Sequence, residues 1–312
     1  MKNHLLKLII FLSVFIEFLL WSICHSDDLQ IIPLKHLFYL EACFTMPSDV
    51  VVGKANKIYV LDGVNHQVKV FGKGGRFLYS FGKKGNKKGE FFYPLGLGVD
   101  KDGLIYVADS GNMRVQAFDP AGDYINHFVL EKRIGRCIPD PTDVAIDSIK
   151  KRLYVVDNHN HEILVYSSYD KRFLSYFGTK GEKEGCFHFP FFLTTEEKGN
   201  VYVVDVLNAR FQIFSPLGRL ISAGGVFGVE PGQFYRPKGI AIDGKKRIFV
   251  TDSYLGTIQI FNDNGQFKGI AGDNSGNILH LNHPMGLFID DEDRLLVVEM
   301  TANKVSVFKI FD

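Results

Sequence analysis

Apolar positions in this chain fall into short runs that recur on a fixed period. Pentapeptides rich in β-branched and aromatic residues (IYVLD, IYVAD, LYVVD, VYVVD, IFVTD and LLVVE) end at Asp62, Asp109, Asp157, Asp205, Asp252 and Glu299. Each is preceded by a proline: Pro47, Pro94, Pro141, Pro190, Pro237 and Pro284, spaced 47, 47, 49, 47 and 47 residues apart. Five residues after each acid a further run begins, QVKVF, RVQAF, EILVY, RFQIF, TIQIF or KVSVF. A Gly- or Asp-containing turn such as FGKGG, FDPAGD or FNDNG follows, and then a fourth apolar run such as RFLYSFG. Runs of this kind, bounded by turn residues roughly every 8–12 positions, predict strands, four to a unit. Helical repeats of similar period are excluded, because the recurring Gly, Asn and Asp would break the helices.

Four short strands per unit is the pattern of a propeller blade. The expectation is an all-β, six-bladed β-propeller of four-stranded antiparallel blades. It occupies residues 44–312, with units starting near 44, 91, 138, 187, 234 and 281. WD-type and kelch-type blades do not fit, since the single tryptophan is Trp21, in the leader. The pattern F-x-x-P-x-G-[apolar]-x-[apolar]-D followed by [IVL]-Y-V-x-D-x-x-N-[HM]-x-V resembles the NHL-repeat family of propellers. Its best copies are FFYPLGLGVDKDGLIYVADSGNMRVQAFDPAG, from Phe91, and IYVLDGVNHQVKVF in the first unit. The resemblance spans about residues 29–312. Units five and six depart from it, because Leu255 and Ala302 stand where the others have Asn65, Asn112, Asn160 and Asn208. Their turn geometry is therefore open.

The sixth unit ends after three strands, which leaves an edge to be covered. The stretch 27–43, containing LQIIPLKHLFYLEAC, has the apolar character of the missing strand and is expected to complete that blade from outside. Pro33 suits an edge strand, where proline is tolerated. Residues 1–26 differ from the rest: Lys2 and Lys7 precede the apolar runs Leu8–Ile16 and Phe18–Cys24. This reads as a signal peptide, with an uncleaved anchor as the alternative and a lipidated Cys24 as a third. Glu17 counts against a stable span. The expected location is exported, periplasmic or extracellular, or held at the membrane through this N-terminus alone.

The 46% apolar and 23% charged content belongs to a globular chain, and a formal charge of +1 gives no global field for nucleic acid. Removing residues 1–26 leaves Cys43, Cys137 and Cys186, an odd number at equivalent places on separate units, so three free thiols are expected. The six acids form a ring on the face shared by the second-to-third-strand turns and the crossings between units. Six copies at one position argue for architecture, each acid capping the turn that follows. His66, His159 and His161, in the same turns, read as surface histidines.

Positions where the units disagree are better site candidates. Just before the prolines stand Met46, Tyr93, Asp140, Phe189, Arg236 and His283. Tyr93, Asp140, Arg236 and His283 could hold a ligand at the mouth of the central cavity. The crossings add a basic sector: Lys83, Lys84, Lys87 and Lys88 against Glu90, and Arg136 with Lys132 and Arg133 against Glu131. No cofactor is expected. His188 and His283 are weak metal candidates, too few for a three-histidine site. Catalytic motifs such as GxSxG, HExxH and the P-loop are missing from the sequence. The neutral chain and its leader argue against nucleic acid as the partner, and a monomer is expected. The resemblance implies a non-catalytic scaffold that holds a protein or polymer partner on its loop-rich face. The alternative it implies is a metal-dependent propeller lyase or hydrolase with its site at the cavity mouth.

Overall fold

The structure, a computed structural model, describes residues 29–311. The leader expected at residues 1–26 lies outside the described residues. A first strand, β1 (Ile31–Leu40), precedes the repeats. The first two units supply β2 (Asp49–Val52), β3 (Ile58–Asp62), β4 (Gln67–Phe71), β5 (Phe77–Phe81), β6 (Gly96–Val99), β7 (Ile105–Asp109), β8 (Arg114–Phe118) and β9 (Tyr124–Val129). The next two supply β10 (Pro141–Asp147), β11 (Arg152–Asp157), β12 (Glu162–Ser167), β13 (Phe173–Phe177), β14 (Pro190–Thr195), β15 (Val201–Asp205), β16 (Arg210–Phe214) and β17 (Leu220–Gly224). The last are β18 (Pro237–Ile242), β19 (Ile248–Asp252), β20 (Thr257–Phe261), β21 (Phe267–Gly272), β22 (Pro284–Ile289), β23 (Arg294–Glu299) and β24 (Lys304–Ile310).

Four four-stranded sheets run in chain order, β2 to β5, β6 to β9, β10 to β13 and β14 to β17. The remaining strands form one eight-stranded sheet in the order β18-β19-β20-β21-β1-β24-β23-β22. The innermost strands β2, β6, β10, β14, β18 and β22 each touch the next, and β22 returns to β2. The molecule is an all-β propeller.

The pentapeptides are apolar throughout because both faces of a blade are covered by its neighbours, so alternation disappears. Every residue of β3, β7, β15 and β19 is buried, whereas β13, on the rim, is largely exposed. The core lies between facing sheets rather than in one central mass. Val51, Tyr59 and Val68 of one sheet, for example, pack against Leu97, Ile105 and Phe118 of the next. The Phe of F-x-x-P is part of this wedge. Phe91 is fully buried, and Gly82, at φ +86°, makes room for it: a Cβ there would lie 2.2 Å from the ring.

β1 joins the two ends of the chain. Leu34 to Leu40 pair antiparallel with Ile310 to Val305 of β24, with a bulge between His36 and Phe38. Ile31 to Pro33 pair in parallel with Ile270 to Gly272 of β21, a contact that edge-covering alone does not anticipate. Pro33 sits where the strand changes partners.

Candidate functional site

The loop-rich face is built on the six acids, and their role differs from simple turn capping. Each accepts the backbone N–H of the residue 17 positions earlier, in the crossing that leads into its own unit: Thr45 to Asp62 (2.9 Å), Phe92 to Asp109 (2.7 Å), Asp140 to Asp157 (3.1 Å), His188 to Asp205 (2.6 Å), Tyr235 to Asp252 (2.7 Å) and Asn282 to Glu299 (2.9 Å). Bonds from backbone N–H groups of the following turn occur at Asp157 and Asp252. The acid therefore clamps crossing to strand by satisfying a part-buried N–H of the crossing. Four acids also meet a cation: Lys69 with Asp62, Arg114 with Asp109, Arg210 with Asp205 and Lys304 with Glu299.

Asn65, Asn112, Asn160 and Asn208 each donate to the acid of their own turn at 2.8–2.9 Å. The residue after each is left-handed, as His66, Met113, His161 and Ala209. Units five and six reach the same conformation without the asparagine, at Gly256 (φ +69°) and Asn303 (φ +52°). Their turns match the others after all.

Two of the turn histidines are not surface groups. His66 and His161 are buried, and their Nδ1 atoms accept the N–H of Tyr93 (3.1 Å) and Phe189 (3.0 Å) in the next unit. Burial, followed by the charge of Lys84 for His66 and of Lys180 for His161, lowers both imidazoles and favours the neutral acceptor. The basic sector is also partly used up inside the protein. Arg133 and Arg136 both pair with Glu162, a fully buried acid at the position where units two and four have Arg114 and Arg210. Arg136 is thus not the free cation its sequence position suggests. Lys83 reaches Glu90 at 3.5 Å, Lys84 lies over the Phe92 ring, Lys88 over Tyr124, and Lys87 stands in the same loop.

The structure does not gather the pre-proline candidates into one site. Tyr93 packs edge-on against His66, and His283 meets Thr301 at 3.1 Å. Asp140 is raised by burial and then by Asp157. The His188 ring neighbours His161 at 5.9 Å. Among the described residues no group of three or more His, Cys, Asp or Glu could hold a metal. Cys43, Cys137 and Cys186 are free. Thiol titration of denatured, non-reduced protein lacking residues 1–26 should count all three, and a count of one would reveal a disulfide.

Arg236 does belong to a cavity. With Asn158, Phe189, Phe191, Val206, Leu207 and Lys238 it lines a depression of about 290 Å³ on this face. Lys238, which sequence reasoning passed over, places Nζ 4.1 Å from the Phe191 ring centroid. Burial, then the charge of Arg236, lowers its amine to about 8. The available signal was RPKG at 236–239: at the position after the proline the other units have Ser48, Leu95, Thr142, Phe191 and Met285, none of them charged.

Below, a channel of about 220 Å³ is lined by all six innermost strands. Phe192 packs with Val50 and Met285 near the end where those strands begin. Two buried carboxylates, also missed, flank β6. Asp49 accepts Leu97 N–H (2.7 Å), and Asp143 accepts Leu193 N–H (2.9 Å) while its Oδ1 has no hydrogen-bond partner. They stand where the P-x-G pattern has Gly96, Gly239 and Gly286. Gly96 leaves space for Asp143, since a Cβ there would lie 2.4 Å from its Oδ1. Burial raises Asp49 to about 7, and burial plus the charge of Asp49 holds Asp143 well above the usual carboxylate range.

Repeating four-stranded sheets, a clamped loop face and a central channel define a β-propeller protein. The NHL repeat model matches residues 44–71 and 91–118, so the chain carries NHL repeats in its first two units. Protein brain tumor of Drosophila melanogaster is 28% identical over 129 residues, 41% of this chain and 12% of its own length. E3 ubiquitin-protein ligase TRIM71 of Rattus norvegicus is 40% identical over 67 residues, 19% of this chain and 8% of its own. Peptidyl-glycine alpha-amidating monooxygenase A of Xenopus laevis is 28% identical over 151 residues, 42% of this chain and 15% of its own. The match thus spans under a sixth of each of these relatives. Among solved structures, a streptogramin B lyase aligns with TM-score 0.62 at 11% identity, covering 89% of this chain and 98% of that one. A gluconolactonase from Xanthomonas campestris aligns with TM-score 0.67 at 12% identity, covering 91% and 96%. These two show the propeller fold.

Proposed function

We propose that this protein is a non-catalytic binding scaffold that holds a protein partner on the loop face of a six-bladed propeller. The count of six takes the eight-stranded sheet as two blades joined through β1, which serves as the outer strand of the last. The observation that carries the reading is the set of exposed apolar side chains carried by the clamped loops. Met46, Tyr93 (52% exposed), Leu207 and Tyr254 (65% exposed) all project from this face. Exposed apolar groups on a rigid frame are what a protein interface uses, because little ordering entropy is lost on binding. NHL repeats in brain tumor and TRIM71 support a protein partner in general. Export rests on the leader, either as a cleaved signal or as an anchor.

The lyase or hydrolase alternative draws on the fold likeness to the streptogramin lyase and would need ligands convergent at the channel mouth. His188 and His283 instead engage separate neighbours, so the scaffold reading is preferred.

Affinity capture from the native host tests it. The triple variant Met46→Ala, Tyr93→Ala, Tyr254→Ala should weaken capture of the partner by roughly 30-fold or more, the scale of lost interface anchors. Tyr169→Ala, an exposed tyrosine between β12 and β13, should have no effect. The reverse result would move the interface to the opposite face.

A further inference from the structure

Resting on that reading of the loop face, we propose that the depression between Phe189, Phe191, Arg236 and Lys238 is a carboxylate-binding subsite for an Asp or Glu side chain of an acidic peptide. Two cations flank Pro237 here, and among the described residues neither forms an ion pair with a carboxylate. The nearest acid in the clamp, Asp252, is already occupied by the backbone N–H groups of Tyr235, Arg236, Tyr254 and Leu255. Lys238 is half-buried, meets among the described residues the Phe191 ring and a like charge, and sits at a position where no other unit has a charged residue. Repeat architecture gives no reason for a lysine there. A charge withdrawn from water without a counter-ion is costly, and an incoming carboxylate removes that cost by pairing with the ammonium and the guanidinium fork together.

The surroundings select the class of anion. Val206, Leu207 and the two phenylalanines make the walls apolar, and about 290 Å³ admits one side chain rather than a nucleotide. A nucleic-acid strand would need a continuous basic track. Here Tyr235 and Tyr254 stack at 4.0 Å beside Phe227, and the Arg133 and Arg136 charges are taken by Glu162. One anionic group set in apolar sequence fits this pattern.

The probes are the tripeptides acetyl-Phe-Glu-Leu-amide and acetyl-Phe-Gln-Leu-amide, titrated calorimetrically against the full chain. The Glu peptide should bind at least about 10-fold more tightly than its Gln counterpart. Arg236→Gln and Lys238→Met should each reduce that preference to below about 2-fold, while Lys238→Arg keeps most of it. Melting curves establish that the variants fold, and the arginine variant preserves the test if the methionine variant does not. Equal binding of the two peptides, or a preference that survives Lys238→Met, would overturn the subsite. So would tighter binding of a single-stranded oligonucleotide than of the Glu peptide. Partner capture reads the larger surface separately. If the Met46/Tyr93/Tyr254 variant loses the partner while Arg236→Gln and Lys238→Met keep it, the scaffold stands and the subsite fails. If the peptide preference holds but the triple variant still captures, the scaffold reading fails instead.

Discussion

Leu40→Ala should lower the melting temperature by roughly 5 °C, and removing residues 29–40 should abolish cooperative folding. Leu40 is fully buried, in one cluster with Phe44, Val50, Val305 and Val307, and Leu34, at 2% exposure, packs with Ala271, Phe308 and Ile310. Truncating a leucine in such a setting costs about 3 kcal/mol through lost transfer energy and the cavity left behind. At about 2.1 cal/mol/K per residue, a chain of this size loses about 1.7 °C for each kcal/mol. Deletion does more than remove two leucines. It strips β24 of its antiparallel partner from Val305 to Ile310 and β21 of its parallel one, leaving two sheet edges open. Leu37, 39% exposed beside the bulge, is the internal control: Leu37→Ala should shift melting by less than about 1–2 °C. Thermal denaturation followed by circular dichroism decides it. If Leu40→Ala and Leu37→Ala behaved alike, β1 would not be holding the ring closed.

Asp49→Asn should stabilise the protein at pH 8 and do almost nothing at pH 4. Asp49 ionises in the folded state near pH 7 because burial opposes its charge, against a usual value of 3.8. Asp143, on the other side of β6, is raised in the same direction by burial and then by the charge of Asp49. With folded values above unfolded ones, the folded state holds more protons between about pH 4 and pH 7. Stability is therefore highest below the unfolded pKa and is lost as pH rises through the folded one. A neutral amide escapes this loss while its oxygen can still accept the Leu97 N–H. The gain at pH 8 should be on the order of 4 kcal/mol, given about 1.4 kcal/mol per unit of displacement. Asp143→Asn should show the same sign. Urea denaturation of the wild type and the two variants at pH 4, 6 and 8 measures the difference directly. A constant difference across that range would mean that neither carboxylate is held protonated by folding.

How far these features were legible depends on the distance over which they are set. The strands, the turns and the propeller were readable because burial on both faces writes continuous apolar pentapeptides, and because Gly, Asn and Asp mark chain reversals locally. The wedge of Phe91 against Gly82 leaves its trace in F-x-x-P and FG, since the constraint recurs in every unit that uses it. Arg236 was visible as a deviation before its proline. Lys238, two residues on, was not, because a single lysine in a strand reads as a solvated side chain until Phe191 of the neighbouring unit is placed beside it.

The chain's own pattern thus determined the repeat, the four strands of each unit, the acid at a fixed place in each turn, and the apolar stretch available for closure. Tertiary structure decided what those groups face. It turned the acids back onto the crossings, assigned Arg133 and Arg136 to Glu162, made His66 and His161 internal acceptors, and gave β1 two partners instead of one. It also put Asp49 and Asp143 on either side of a strand that belongs to neither. The reason is physical. Conformation and burial follow from a residue's immediate neighbours in sequence, which the repeat prints six times, whereas charge pairing and desolvation depend on residues brought from adjacent units, where each copy differs.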